Sequence, residues 1–285
     1  MTDKIALLVD SGSDVPQAVI DANDYFHVVP LTVTIDGQDY QDRVNLTPDE
    51  FYTRLATVET LPLTASPAPE LVVRAMQQCF DEGYTQILGI TLSSGLSATH
   101  QTFRLAAQQF SSQQVQILDT KSVGIGSGLL AVYASDLINQ GLAFETIVAR
   151  VQQSISRSHV YFYIPTLKYL RAGGRIGKVS GLVGSALKIK PVISCDSEGI
   201  YYPVTKSRSE NKALRKMVDL VAADCAGKKA RIAVAHGHNP ALLATVSTAL
   251  EEATGQPVAY RGDISPSLGV HTGPGLIGVG IQIIE

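Results

Sequence analysis

The chain has 285 residues, 45 % of them hydrophobic and 17 % charged, with a formal net charge of -3. That length suits about two domains with a substantial core, and the slight acidity gives no electrostatic reason to expect a nucleic-acid partner. The start, MTDKIALLVDSGSD, has too short an apolar run for a signal peptide, no stretch reaches a membrane span, and Cys79, Cys195 and Cys225 lie far apart. A cytoplasmic protein without stable membrane insertion, disulfides, metal or cofactor is expected, its cysteines reduced core thiols.

Residues 4–10 (KIALLVD) read as a strand that runs into the polar loop DSGSD, with Pro16 set for the first turn of a helix. Residues 26–47 are rich in β-branched side chains, and Asp36-Gly37 signals a hairpin. Thr47-Pro48-Asp49-Glu50 opens a helix with Phe51, Leu55 and Val58 on one face, followed by a loop, LPLTASPAP. From Glu70, the apolar residues Leu71, Val72, Ala75, Met76, Cys79 and Phe80 recur at helical spacing. A buried strand ending at Ile90 leads into TLSSGLSAT and a helix from Ser97. The strand VQILD then leads into DTKSVGIGSG and a helix through Leu137.

The second half differs. A helix over 143–156 precedes the strand VYFYIP, a short helix with Leu167 and Leu170, the basic turn RAGGRIGK and the run VSGLVGSALKIKPVI. Two strands bracket Glu198-Gly199. A helix (209–224), the strand RIAVAH, a helix (240–253), the strand PVAYRG and a final strand after a Gly/Pro turn at His271 complete the chain. The βα alternation predicts an α/β fold with two domains. Residues 1–157 form a three-layer, Rossmann-like parallel-sheet domain, and 158–285 an α+β domain with a mixed sheet. In open α/β sheets ligands bind beyond the carboxyl ends of the strands, so the loops DSGSD, TLSSGLSAT and DTKSVGIGSG should gather on one rim.

Three readings compete for the serine-rich loop. A nucleophile elbow needs Gly on both sides of the serine; at Ser93 the upstream position is Thr91, and none of the six histidines is an obvious partner. A helix cap is the commonest use of serine in this setting. An anion cradle would combine helix-start N–H groups with the hydroxyls of Ser93, Ser94 and Ser97. Thr64 and Ser66 lie in a second hydroxyl-bearing loop, and GIGSG (124–128) lacks the context of a nucleotide fingerprint. His271 sits in a rigid turn suited to aiming one side chain. Arg171, Arg175 and Lys178 make either a solvated turn or a contact for a phosphate or an acidic partner.

The segments DSGSDVP, VVPLTVTIDG, the Thr64-Ala65-Ser66-Pro67 loop, LSSGLSATHQ, YLRAGGRIG, LKIKPVI and HTGPG occur in the order found in the DegV family. The resemblance runs from about residue 4 to 284. It implies a fatty-acid-binding protein of two α/β domains with the acyl chain between them, itself non-catalytic. A separate dihydroxyacetone-kinase-like subunit would phosphorylate the bound carboxylate with ATP. Carried over, Thr64, Ser66, Ser93, Ser94 and His271 would hold the carboxylate, with His271 able to be cationic, and Arg175 would meet the partner or the transferred phosphate. Leu182, Val183, Leu187 and Ile189 would line the acyl chain, for which GLVGSALKI supplies small and aliphatic residues. Ala65-Ser66 stands where the family has Ser-Gln, Ala98 where it has Gly and His100 where it has Tyr. The alternative function is a serine hydrolase or an enzyme acting on a small phosphorylated metabolite.

Overall fold

In the computed structural model, which describes residues 4–182 and 189–284, the first half winds around a parallel sheet. Strand β1 (Ile5–Asp10) is followed by the short helix α1 (Gln17–Asp21) and by β2 (Phe26–Val29). A hairpin of β3 (Thr32–Ile35) and β4 (Gln38–Gln41) comes next. Asp36 and Gly37 turn it at φ 50° and 80°, the positive angles a tight two-residue turn requires. Helix α2 (Pro48–Leu55) starts with a reciprocal capping box between Thr47 and Glu50, and it ends before Val58. The segment read as a loop contains a strand, β5 (Leu63–Ala65), which pairs antiparallel with β3. Three residues bracketed by prolines carry too little periodicity to announce a strand; the β3 ladder supplies the hydrogen bonds that make it one.

Helix α3 (Pro69–Asp81), β6 (Gln86–Thr91), α4 (Thr99–Ala107), β7 (Val115–Asp119), α5 (Ile125–Asn139) and α6 (Phe144–Ile155) complete this half. The parallel sheet has the order β2-β1-β6-β7. Strand β1 sends Ala6 and Leu8 to one face, under α3 and α4, and Leu7 and Val9 to the other, under α5 and α6. That alternation is the period-two pleat of a strand covered on both sides.

Strand β8 (Ser158–Tyr163) opens a second sheet. After the short α7 (Lys168–Ala172) come β9 (Lys190–Cys195) and β10 (Tyr201–Ser207), a hairpin across Glu198-Gly199, then α8 (Glu210–Cys225) and β11 (Ala230–His236). Helix α9 (Pro240–Thr254), β12 (Val258–Asp263), α10 (Pro266–Thr272) and β13 (Ile277–Ile283) follow. The sheet is mixed, in the order β10-β9-β8-β13-β11-β12, with only β11 and β12 parallel. Helix α5 is shared between the halves. Leu130 and Ala134 pack under β1, while Ile125 and Leu129 pack with Val160 and Phe162 of β8. A helix that must bury every side is apolar all round, as IGSGLLAVYASDLIN is. Its glycines serve that approach: a Cβ on Gly128 would lie 2.6 Å from the Ser13 carbonyl oxygen.

Helix α10 was not visible in the sequence, where His271 reads as part of a turn. Pro266 starts the helix at its first turn, and Gly269, which argues against a helix locally, is packed against Phe51 and Tyr52. Tertiary contact outweighs local propensity here.

Candidate functional site

The three polar loops converge at the carboxyl ends of β1, β6 and β7 and are stitched together. Asp10 Oδ2 accepts from the Leu92 amide at 2.7 Å and from Ser13 Oγ at 3.2 Å. The Gly124 amide donates to the Gly12 carbonyl at 2.9 Å, and the Ser93 amide to Ser122 at 2.7 Å. Over this rim lies a narrow pocket, partly open to solvent, with a cavity volume of about 40 Å³. Leu31, Leu92, Leu96, Val123, Leu268 and the buried Tyr201 form most of its wall, and Thr64, Ser97, Arg175 and His271 bring polar groups to it.

Strand alternation turns Thr64 inward while Leu63, 66 % exposed, faces solvent. Thr64 Oγ1 lies 2.7 Å from His271 Nε2, a bond joining β5 to the last turn of α10. Gly173 lies flat against the imidazole; a Cβ there would fall 2.1 Å from Nδ1. Arg175 is held by its own Nη1, which donates to the Gly173 carbonyl at 2.9 Å, and by Nε, which donates to Leu96 O at 3.3 Å. Burial, reinforced by the Arg175 charge, pushes the His271 pKa down to about 4. The imidazole is therefore neutral at physiological pH where no carboxylate lies beside it. The positive charge at this end of the pocket is the guanidinium of Arg175.

The serines divide. Ser93 is fully buried; its hydroxyl donates to the Gly199 carbonyl at 2.9 Å and accepts from the Gly95 amide at 3.0 Å. It fastens the rim to the β9–β10 hairpin and closes a serine turn on its own backbone. Ser94 is exposed. Its amide donates to Asp119 Oδ1 at 3.2 Å, and its hydroxyl accepts from Lys121 Nζ at 3.1 Å. Neither lines the pocket, whereas Ser97, the third hydroxyl of the same loop, does. Ser66 is half-buried just beyond β5 and is not part of the wall. His100 bonds Thr91 Oγ1 at 3.0 Å behind the rim. Among the described residues no serine hydroxyl pairs with a histidine. Leu182 packs beside the core around the pocket and Ile189 is half-buried; Val183 and Leu187 lie outside the described residues.

Below the pocket is a layer of buried charge that sequence reading missed. Ser11 Oγ donates to Asp42 Oδ2 at 2.7 Å. Asp14 Oδ1 accepts from Arg43 Nη2 and from the Ser265 amide, both at 3.0 Å, and Arg43 Nη2 also donates to the Asp263 carbonyl at 2.8 Å. Burial pushes Asp10 up to about 7; it pushes Asp14 to about 6 against the pull of Arg43. Asp42 is raised by the same cause. Arg43 holds φ 60°, a backbone cost that this pairing offsets. Nothing in the local sequence DYQDRV marks that role, because the partners are far away along the chain. No group of three or more metal-ligating side chains occurs among the described residues, and no helix among them is long and apolar enough to cross a membrane.

A family model described as an uncharacterised protein of the DegV family matches residues 4–283. The chain belongs to the DegV family. It is 36 % identical over 277 residues to a DegV domain-containing protein of Clostridium acetobutylicum, covering 97 % of this chain and 98 % of that one. Its fold is similar to that of a DegV family protein from Thermus thermophilus described as fatty acid binding, at TM-score 0.91 and 29 % identity, over 99 % of this chain and 100 % of that one. A fatty acid binding DegV family protein from Streptococcus agalactiae has TM-score 0.89 and 28 % identity, over the same shares. DegV chains of this fold therefore include fatty-acid binders.

Proposed function

We propose that this protein binds a long-chain fatty acid in the pocket between its two halves. The carboxylate would sit at Thr64, His271 and Arg175, and the acyl chain along Leu31, Leu92, Val123 and Leu268. The observation that carries this reading is an apolar pocket ending at a hydroxyl–imidazole pair beside one guanidinium. A carboxylate leaving water must find hydrogen bonds and a countercharge, and this end of the pocket offers both. Each methylene moved from water into the apolar part contributes about 0.8 kcal/mol. The fatty-acid binding of DegV proteins from Thermus thermophilus and Streptococcus agalactiae supports the same reading.

The protein would perform no turnover itself. It would present the carboxylate to a separate ATP-dependent, dihydroxyacetone-kinase-like partner. There a carboxylate oxygen would attack the γ-phosphorus of ATP, releasing ADP and leaving an acyl phosphate, with Arg175 placed for the partner or the transferred phosphate. Mass spectrometry of an organic extract of the purified protein tests the first step, with about one free fatty acid per chain expected. Adding a cognate kinase and ATP, and trapping acyl phosphate with hydroxylamine, tests the second. Absence of lipid, with no uptake of added long-chain acid, would contradict the binding. Bound acid without acyl phosphate would contradict only the presentation.

A further inference from the structure

Strand β13 starts just after α10, near the fatty-acid pocket, and runs about 20 Å to its other end at Ile283. At that end lies a second cavity of about 190 Å³, which shares no lining residue with the first. Its polar wall is made by Tyr133, Arg150, Gln153, Ser154, Arg157 and Gln282. Arg150, Gln153 and Ser154 follow the three-to-four spacing of one helix face, and Arg157 lies just beyond the end of α6. No acidic side chain lines this cavity. Among the described residues, neither Arg150 nor Arg157 makes an ion pair or a side-chain hydrogen bond. Arg231 beside them differs: it is bound to Asp136, and its Nη1 donates to Gln282 Oε1 at 3.3 Å.

The floor of the cavity is fixed. Gln282 is 1 % exposed, and its Nε2 donates to the buried Ser154 Oγ at 3.0 Å. An amide nitrogen carries two N–H donors, so Gln282 keeps one beyond that bond. Helix carbonyls that would repel an anion are already engaged. Gln153 O accepts from Ser156 Oγ at 3.2 Å, and Ser154 O accepts from Ser158 Oγ at 2.9 Å and from the Arg157 amide at 3.0 Å. A cavity whose only charged lining groups are two guanidiniums favours an anion, on a chain whose net charge is -3. Two forks match a dianion better than a single carboxylate. A phosphate monoester carries about -1.5 to -2 at pH 7 with three acceptor oxygens, and guanidinium binds it bidentately. We propose that this cavity binds a phosphate monoester, with Arg150 and Arg157 supplying the charge and Gln282 a neutral donor. The proposal stands independently of the fatty-acid reading.

Soluble phosphorylated metabolites and lipid headgroups share this chemistry, and the test separates them. The full-length protein is titrated calorimetrically at low ionic strength, where screening is weak, with glycerol 3-phosphate and with glycerol. Co-sedimentation uses phosphatidylcholine vesicles with and without phosphatidic acid. Glycerol 3-phosphate should bind saturably at one site and glycerol should not bind. Arg150→Gln and Arg157→Gln should each weaken binding about tenfold, and the double variant should abolish it, with urea unfolding unchanged. Binding only to phosphatidic acid vesicles, lost in the double variant, would also support the site and assign its phosphate to a headgroup. Failure of every phosphate probe to bind, or binding that survives in the double variant, overturns the proposal.

Discussion

The polar end of the pocket and the charged layer beneath it are built from the same kinds of residue to opposite ends. At Thr64, His271 and Arg175, polar groups are few, a neutral imidazole replaces a possible cation, and one guanidinium supplies the charge. Beneath, Asp10, Asp14 and Asp42 are buried and Arg43 is half-buried; one oxygen of each carboxyl is engaged, by Leu92 and Ser13, by Arg43 and Ser265, and by Ser11 respectively. The first arrangement sets its polar groups in the wall of a pocket; the second uses them to join β1, the β3–β4 hairpin and the start of α10. Buried polarity is thus a mark of function only where it faces a space that a ligand can enter.

The largest expected effect comes from breaking the lower layer. Arg43→Ala leaves Asp14, whose side chain is 2 % exposed, without its countercharge. It should cost about 3–5 kcal/mol of stability in urea unfolding, the range for orphaning one member of a buried pair. A cost below about 1 kcal/mol would make this layer incidental.

The two regions should also titrate in opposite senses. The Asp10 pKa is raised to about 7, so the folded protein holds a proton the unfolded chain releases, and stability from this group is lost as pH rises from about 4 to 7. His271 is lowered to about 4, so its contribution is present above about 6.5 and is lost as pH falls toward 4. Relative to the parent, Asp10→Asn should therefore gain stability on going from pH 4 to 7, and His271→Gln on going from pH 7 to 4, each by about 2–3 kcal/mol. Parallel pH profiles for parent and variants would remove the distinction.

Thr64→Val keeps the shape of the side chain and deletes its hydroxyl. Affinity for a long-chain acid should fall by about 1.5–3 kcal/mol, tenfold or more, with unfolding stability changed by less than about 1 kcal/mol. Ser93→Ala should do the reverse on a smaller scale. It should lose about 1–2 kcal/mol of stability by leaving the Gly199 carbonyl unpaired, with acid binding unaltered.

The architecture was legible because each half repeats its own pattern. Continuous apolar strands ending in polar loops predicted a parallel sheet, and Asp36-Gly37 predicted its hairpin. What escaped reading had its cause elsewhere in the chain: β5 exists through β3, and α10 through packing on Phe51 and Tyr52. At the site, the loop chemistry and its rim were readable. Which hydroxyl faces the pocket was not, since Ser93, Ser94 and Ser97 differ only in what the fold places beside them. The partners of Arg43, at Asp14 and Asp263, are likewise remote in sequence.

The most direct test is calorimetric titration of the delipidated protein, parent and Thr64→Val, with a long-chain acid and with the alcohol of the same length. The alcohol keeps the apolar chain and removes the carboxylate. The account predicts that the parent prefers the acid by tenfold or more and that Thr64→Val loses most of that preference while still binding both. An acid preference that survives intact in Thr64→Val would place the carboxylate elsewhere and contradict the account.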